Sequence, residues 1–260
     1  MAGGSVLVGR DGAIATVTLS SPGRMNALDK TMWSQLGSAM QELGADESLR
    51  CIVIRGDGDK AFAAGADIAE FKNERANAAQ AKAYSRGGIG WMHAVAECRH
   101  PTVALIQGAC VGGGLLIASQ CDLRICNESA RFGVPVKNLG LTESYDELQA
   151  MMRVVGPAAS LELLLEGRIW AAREAYEKGL VNRVVPDAGV VEEALAAARR
   201  IAEGAPLVAR WHKKFVRRLL HPRPLTPEER DEGYACFDTE DFREGVAAFL
   251  AKRKPNFTGR

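Results

Sequence analysis

The chain has 260 residues, with 33 Lys and Arg against 32 Asp and Glu, for a net charge of +1. That balance argues against nucleic acid or a membrane surface as the main partner. A composition 47% hydrophobic and 25% charged belongs to an ordinary globular protein with material for a sizeable core. No apolar run reaches ~18 residues, so no membrane-spanning helix is expected. The first twelve residues lack a signal-peptide hydrophobic region, which makes the protein cytoplasmic by expectation.

In chain order, Val6–Val8 and Ile14–Leu19 read as two short strands around the turn Arg10-Asp11-Gly12. After Ser21-Pro22-Gly23 a helix is expected from about Asp29, its N-cap, with Met32, Leu36, Ala39, Met40 and Leu43 on one apolar face. Cys51–Arg55, Val103–Gln107 and Leu123–Cys126 are short apolar strands, with helical stretches near Ala76–Cys98 and Gly113–Gln120 between them. This alternation through the first ~190 residues predicts an α/β core. The remainder is helical: Val190–Glu203, Leu207–Leu220, a start at Thr226-Pro227-Glu228-Glu229, and Asp241–Lys252. The expected division is a core over 1–200 and a helical C-terminal region over 201–260. Arg210, Lys213, Lys214, Arg217 and Arg218 read as a solvated helix face, as do Lys252, Arg253 and Lys254.

The six cysteines form no CxxC and keep no metal-ligand spacing, so neither a disulfide framework nor a metal site is expected. Most lie in apolar runs and read as small core residues.

Two segments can carry chemistry. Phe62-Ala63-Ala64-Gly65-Ala66-Asp67-Ile68 comes after a buried strand, and its small residues let backbone amides approach a ligand, with Asp67 capping the next helical turn. Gln107-Gly108-Ala109-Cys110-Val111-Gly112-Gly113-Gly114 joins a strand to an apolar helix and exposes N–H groups at the helix's positive end. Such a site suits an anion, whether phosphate or a developing oxyanion. It lacks the Lys-Ser/Thr of a P-loop and the GxGxxG of a dinucleotide fold.

Taken together with Cys121–Cys126 and Ala130–Pro135, these segments resemble the crotonase, or enoyl-CoA hydratase/isomerase, family. The resemblance runs from Met25-Asn26-Ala27-Leu28 to the segment Gly245–Phe257. It implies a spiral of ββα units with a C-terminal helical trimerisation region, assembled as a homotrimer or dimer of trimers. It also implies an acyl-CoA substrate whose thioester carbonyl is held by the N–H groups of Ala66 and Gly113 while an enolate forms. Coenzyme A would enter as part of the substrate, with no permanently bound cofactor. Main-chain groups of Ala64, Ala66 and Ile68 would meet the adenine end, and Asp67 between them is counted with the CoA-binding residues. Lys30, Lys72 and Lys252 are candidate phosphate partners.

The chain departs from the pattern at two places. Family hydratases carry Glu two residues after the glycine triplet and directly after the FGxP proline; here these are Leu116 and Val136. Neither side chain can move a proton, so hydration by a two-glutamate mechanism is not expected. Replacement acid, base or donor groups are sought in the segment Leu141–Leu148, at Glu143, Tyr145 and Asp146, and at His93 on the helix before the glycines. A structural reading competes: Ser144 to Glu147 fits a helix capping box. Three functions stay open: an enzyme on a CoA thioester, a non-catalytic acyl-CoA binder, and an assembly role through the helical tail.

Overall fold

The computed structural model describes the backbone of residues 3–260 and all their side chains except those of 85–89. The first two residues of the N-terminal segment lie outside it. The chain begins with an antiparallel hairpin, β1 (Ser5–Asp11) and β2 (Ile14–Ser20), followed by α1 (Lys30–Ala45). Asp29 caps α1 as expected, its Oδ1 accepting from the Met32 amide at 2.9 Å. Met32, Leu36, Met40 and Leu43 are buried on one face, and Ala39 is not.

Then the same unit repeats. β3 (Cys51–Gly56) and β4 (Ala61–Ala63) lead to α2 (Phe71–Glu74) and α3 (Ala78–Glu97). β5 (Thr102–Ile106) and β6 (Ala109–Val111) lead to α4 (Gly113–Gln120), and β7 (Leu123–Asn127) and β8 (Arg131–Gly133) lead to α5 (Tyr145–Glu166). In each of these units the first strand joins one sheet and the second joins another. The larger sheet runs β1-β2-β3-β5-β7 and ends with β10 (Arg183–Val185), parallel from β2 onward. The smaller runs β4-β6-β8 and ends with the antiparallel β9 (Trp170–Ala171). Alternating between two sheets winds the chain into a spiral, the expected crotonase-type α/β fold.

Parallel strands buried on both faces must be apolar throughout, and β5 is buried at every residue. Successive side chains point to opposite faces. Val17, Ile52, Ile54, Ala104 and Ile106 therefore enter one core with α1, α3 and α4, while Cys51, Val53, Val103, Leu105 and Ile125 enter a second. That second core is closed by α7 (Val190–Ala202), which comes after α6 (Ala172–Glu177). All the cysteines are free, and five of the six are buried.

The helix α5 has 22 residues and contains an 18-residue window of mean hydropathy 1.2, so by length and composition alone it could reach across a bilayer. It is broken at Gly156 (φ 75°, ψ 172°), with Pro157 opening its second half.

Three further helices complete the chain: α8 (Pro206–Leu219), α9 (Pro227–Asp231) and α10 (Glu240–Leu250). The basic run on α8 departs from its expected place in solvent. Lys213 is buried and donates to Asp122 Oδ2 and to the His100 carbonyl, both at 2.7 Å. Arg217 reaches Asp122 Oδ1 at 2.9 Å, and Arg210 reaches the carbonyls of Glu47 and Leu49 at 3.2 and 3.3 Å. Cations spaced three and four apart share one helix face. That face meets carbonyls and Asp122 at the ends of the sheet rather than water. Arg218 and Lys214 pair with Glu229 and Glu232 of the following turns.

Candidate active site

The glycine segment and the Ala64–Ile68 loop come together at one wall of a cavity of about 490 Å³, a size suited to a small-molecule acyl group. Each loop is pinned by main-chain bonds. The Leu28 amide donates to the Gly65 carbonyl and the Asp67 amide to the Leu28 carbonyl, both at 2.8 Å, so Leu28 and Ala66 form a parallel bridge. On the other side the Gly112 amide donates to the Gly133 carbonyl at 2.8 Å. Gly65 (φ 104°) and Gly112 (φ 51°) occupy backbone conformations that favour glycine.

This arrangement leaves two N–H groups in the wall. Gly113 is the first residue of α4, so its amide has no intrahelical acceptor. The Ala66 amide donates no backbone bond among the described residues. The two backbones are adjacent: a Cβ built on Gly113 would lie 3.7 Å from the Ala66 nitrogen, and one on Gly65 would lie 3.5 Å from the Gly113 nitrogen. The α4 dipole adds positive potential at the same point. An oxyanion forming there would meet two pre-oriented donors, each worth about 10²–10³ in rate in well-studied cases.

The rest of the wall is largely apolar. Leu116 and Val136 both line it, next to Pro135, Leu139 and Leu141. Trp33 and Trp91 stack with ring centroids 4.7 Å apart, and Phe71, Tyr84 and Met92 extend that side. Three charged side chains interrupt it: Arg75, Glu143 and Glu147. Ser144 and Glu147 do form the capping box. Glu147 Oε2 accepts from the Ser144 amide at 2.6 Å, and Ser144 Oγ accepts from the Glu147 amide at 3.4 Å. The cap and the cavity wall are therefore the same residues. Burial and the neighbouring Glu147 carboxylate push the Glu143 carboxyl up to about 8, against the opposing pull of Arg75. Glu143 is thus a neutral acid at pH 7, poised for proton transfer close to neutrality.

The other candidates lie elsewhere. Tyr145 is 93% exposed and does not line the cavity, because the first turn of α5 turns its side chain outward. Asp146 and His93 line a different cavity, of about 770 Å³, against α8. His93 sits 3.4 Å from Glu97 on the exposed side of α3, while its neighbours Trp91 and Met92 face inward. Contrary to expectation, none of these three side chains lines the cavity that contains the Ala66 and Gly113 amides.

Ala64, Ala66 and Ile68 line the acyl cavity, whereas Asp67 is engaged with Arg24 and caps the following turn through the Ala69 amide at 3.0 Å. Lys30 is held by Glu74 at 2.8 Å, and Lys72 and Lys252 are exposed, Lys252 just beyond α10. None of these three lysines lines the cavity. Among the described residues no cluster of His, Cys, Asp and Glu could hold a metal. Arg75, Tyr84 and Phe71 also line the cavity, although no motif in the sequence marks them. A signal for Tyr84 existed in the spacing Tyr84, Trp91, Val95, Cys98, an apolar stripe on α3 that excludes His93.

The chain is similar to known proteins along nearly its whole length. The enoyl-CoA hydratase/isomerase family model matches residues 9–260. A probable enoyl-CoA hydratase of Rhizobium meliloti is 38% identical, over 98% of each chain. A crotonyl-CoA hydratase of Syntrophomonas wolfei is 32% identical over the full length of both. Among solved structures, an enoyl-CoA hydratase/carnithine racemase from Magnetospirillum magneticum shares 51% identity at a TM-score of 0.97, covering 98% of this chain and 96% of that one. With a spiral of paired strands, two adjacent free amides and full-length similarity to such relatives, the chain belongs to the enoyl-CoA hydratase/isomerase family.

Proposed function

We propose that this protein is an enzyme that binds an acyl-CoA thioester, holds its carbonyl oxygen on the amides of Ala66 and Gly113, and moves a proton at the acyl group through Glu143. The observation that carries this reading is the sharing of one cavity by the two free amides and a carboxyl held near neutrality. A thioester enolate carries its charge on oxygen, where the amides would meet it. Glu143 alternates between donor and acceptor at ordinary pH. With Leu116 and Val136 in the wall, the chemistry after enolate formation rests on one proton-transfer group rather than two. That favours isomerisation, or cleavage of a substrate that carries its own leaving group, over addition of water.

The test is α-proton exchange. Saturated acyl-CoA incubated with the protein in D2O should gain deuterium at the α-carbon, and Glu143→Gln should slow this by about 10²–10⁴-fold while still binding the thioester. Binding without exchange in the wild-type protein would instead support a non-catalytic acyl-CoA binder, a reading that Leu116 and Val136 also favour.

A trimer or dimer of trimers is part of the proposal. It is supported by large apolar side chains left exposed on the C-terminal helices: Val216 and Leu219 on α8, and Phe249 and Leu250 on α10. Sedimentation at micromolar concentration should give a trimer or hexamer, and a monomer would refute the assembly.

A further inference from the structure

Arg75 is the one cation in the lining of the acyl cavity among the described residues. Lys30 has Glu74, Arg24 has Asp67 and Asp29, and the α8 cations have Asp122 and main-chain carbonyls. Arg75 lines the acyl cavity and, among the described residues, has no carboxylate within 4 Å. Its Nε is buried without a hydrogen-bond partner. It is held instead by two aromatic faces, its guanidinium carbon 4.0 Å from the Tyr84 ring centroid and 4.6 Å from that of Phe71. Stacking of this kind fixes the plane of a guanidinium and leaves its edge donors available. Tyr84 and Phe71 belong to the same wall as Trp33, whose ring lies against Gly113. The cation and the two amides therefore border the same cavity.

A cavity for a simple hydrocarbon chain would not need a guanidinium. Taking a cation out of water costs free energy unless an anion or acceptors compensate. The nearby acids do not supply that compensation: neither Glu143 nor Glu147 forms an ion pair with Arg75 within 4 Å, and Glu147 accepts from the Ser144 amide. We propose that the acyl group carries a second carboxylate, so that the substrate is the CoA monothioester of a dicarboxylic acid, with the distal carboxylate bound by Arg75. This rests on the acyl-CoA reading above and adds the chemical class of the acyl group. A planar guanidinium matches a carboxylate in a fork of two parallel hydrogen bonds. A cationic chain end would be repelled by Arg75, which already covers the faces of Phe71 and Tyr84.

Calorimetry with saturated thioesters matched in length tests this without requiring turnover: succinyl- against butyryl-CoA, and glutaryl- against pentanoyl-CoA. The wild-type protein should bind the carboxylate-terminated member of at least one pair tenfold or more tighter. Arg75→Met should erase that preference, chiefly by weakening the carboxylate-terminated ligand, and Arg75→Lys should restore part of it. Equal or weaker binding of both carboxylate-terminated thioesters by the wild type overturns the inference, even if both variants misfold. So does an Arg75→Met variant that weakens free CoA and all four thioesters by one common factor, since Arg75 would then hold a CoA phosphate. If neither free CoA nor any thioester binds, the acyl-CoA reading itself fails and this inference with it.

Discussion

Trp33 lies across Gly113 so closely that a Cβ at position 113 would fall 2.8 Å from its Cη2 atom. Real side chains do not tolerate that distance, so any substitution must move the ring, the helix start or both. Gly113→Ala should cost about 1–3 kcal/mol of stability through overpacking and lower acyl-CoA turnover by about 10²-fold by misaiming one oxyanion donor. Trimming the obstacle, as in Gly113→Ala with Trp33→Leu, should recover part of both. Thermal unfolding and steady-state kinetics on the two variants check this. Wild-type behaviour of Gly113→Ala would show that the ring does not constrain the amide.

The raised Glu143 carboxyl has a thermodynamic signature. In the unfolded chain it loses its proton near the ordinary glutamate value, but in the folded protein only at about 8. Between those values the folded state holds the extra proton, so this residue's contribution makes stability fall as pH rises through that window. His100 acts in the opposite sense at lower pH. Burial, then Arg210 and Arg99, depress it to about 4, so its contribution to stability is present above the ordinary histidine value and is lost as pH falls toward 4. Melting temperatures measured from pH 4 to pH 9 should therefore decline in the wild type between the ordinary histidine value and about 8, where His100 no longer opposes Glu143, and decline less in Glu143→Gln. Parallel curves for the two proteins would count against the buried neutral acid.

Asp122 joins the C-terminal helices to the core. It takes Lys213 and Arg217 from α8 and also accepts from the Thr102 amide at 2.8 Å and the Thr102 hydroxyl at 3.0 Å. Burial lowers the Lys213 ammonium from its ordinary value, with Asp122 opposing the shift. Asp122→Ala strands that cation and should cost about 3 kcal/mol or more. Denaturant unfolding measures the loss, and a change below about 1 kcal/mol, the scale of an exposed ion pair, would mean that α8 is anchored by its main-chain contacts alone.

His93, Tyr145 and Asp146 attract attention in the sequence but lie off the acyl cavity. The variants His93→Gln, Tyr145→Phe and Asp146→Asn should each keep turnover within about threefold of wild type, since surface changes away from a site alter little. A hundredfold loss in any of them would place that side chain in the chemistry after all.

What could be read from the sequence divides along physical lines. The longer strands and α4 show as apolar runs, and α1 and α3 as periodic apolar faces with capping residues, and the residues that form them match closely. The smaller sheet was not legible because β4, β6 and β8 have three residues each and β9 two, too few to show an alternation. They exist because neighbouring loops pair, as when the Arg131 amide donates to the Gly108 carbonyl at 2.9 Å. The two oxyanion amides were legible because glycines crowded into a strand-to-helix turn free the backbone to present its N–H groups. Arg75 was not, since its role depends on rings at positions 71 and 84 that only the tertiary fold brings to its two sides. The basic face of α8 was misread because periodicity identifies a shared face but not the surface that face meets.

The bonds that set the two loops, Leu28 with Gly65 and Asp67 on one side and Gly112 with Gly133 on the other, run entirely through the main chain. Beyond the Trp33 ring against Gly113, none of the side chains that vary the chemistry of the wall takes part in those bonds. Leu116, Val136, Glu143 and Arg75 can each be exchanged while the clamp stays intact, so substitutions in the wall can redirect the chemistry one residue at a time. A lineage can lose one reaction and acquire another without passing through a protein that no longer holds its thioester.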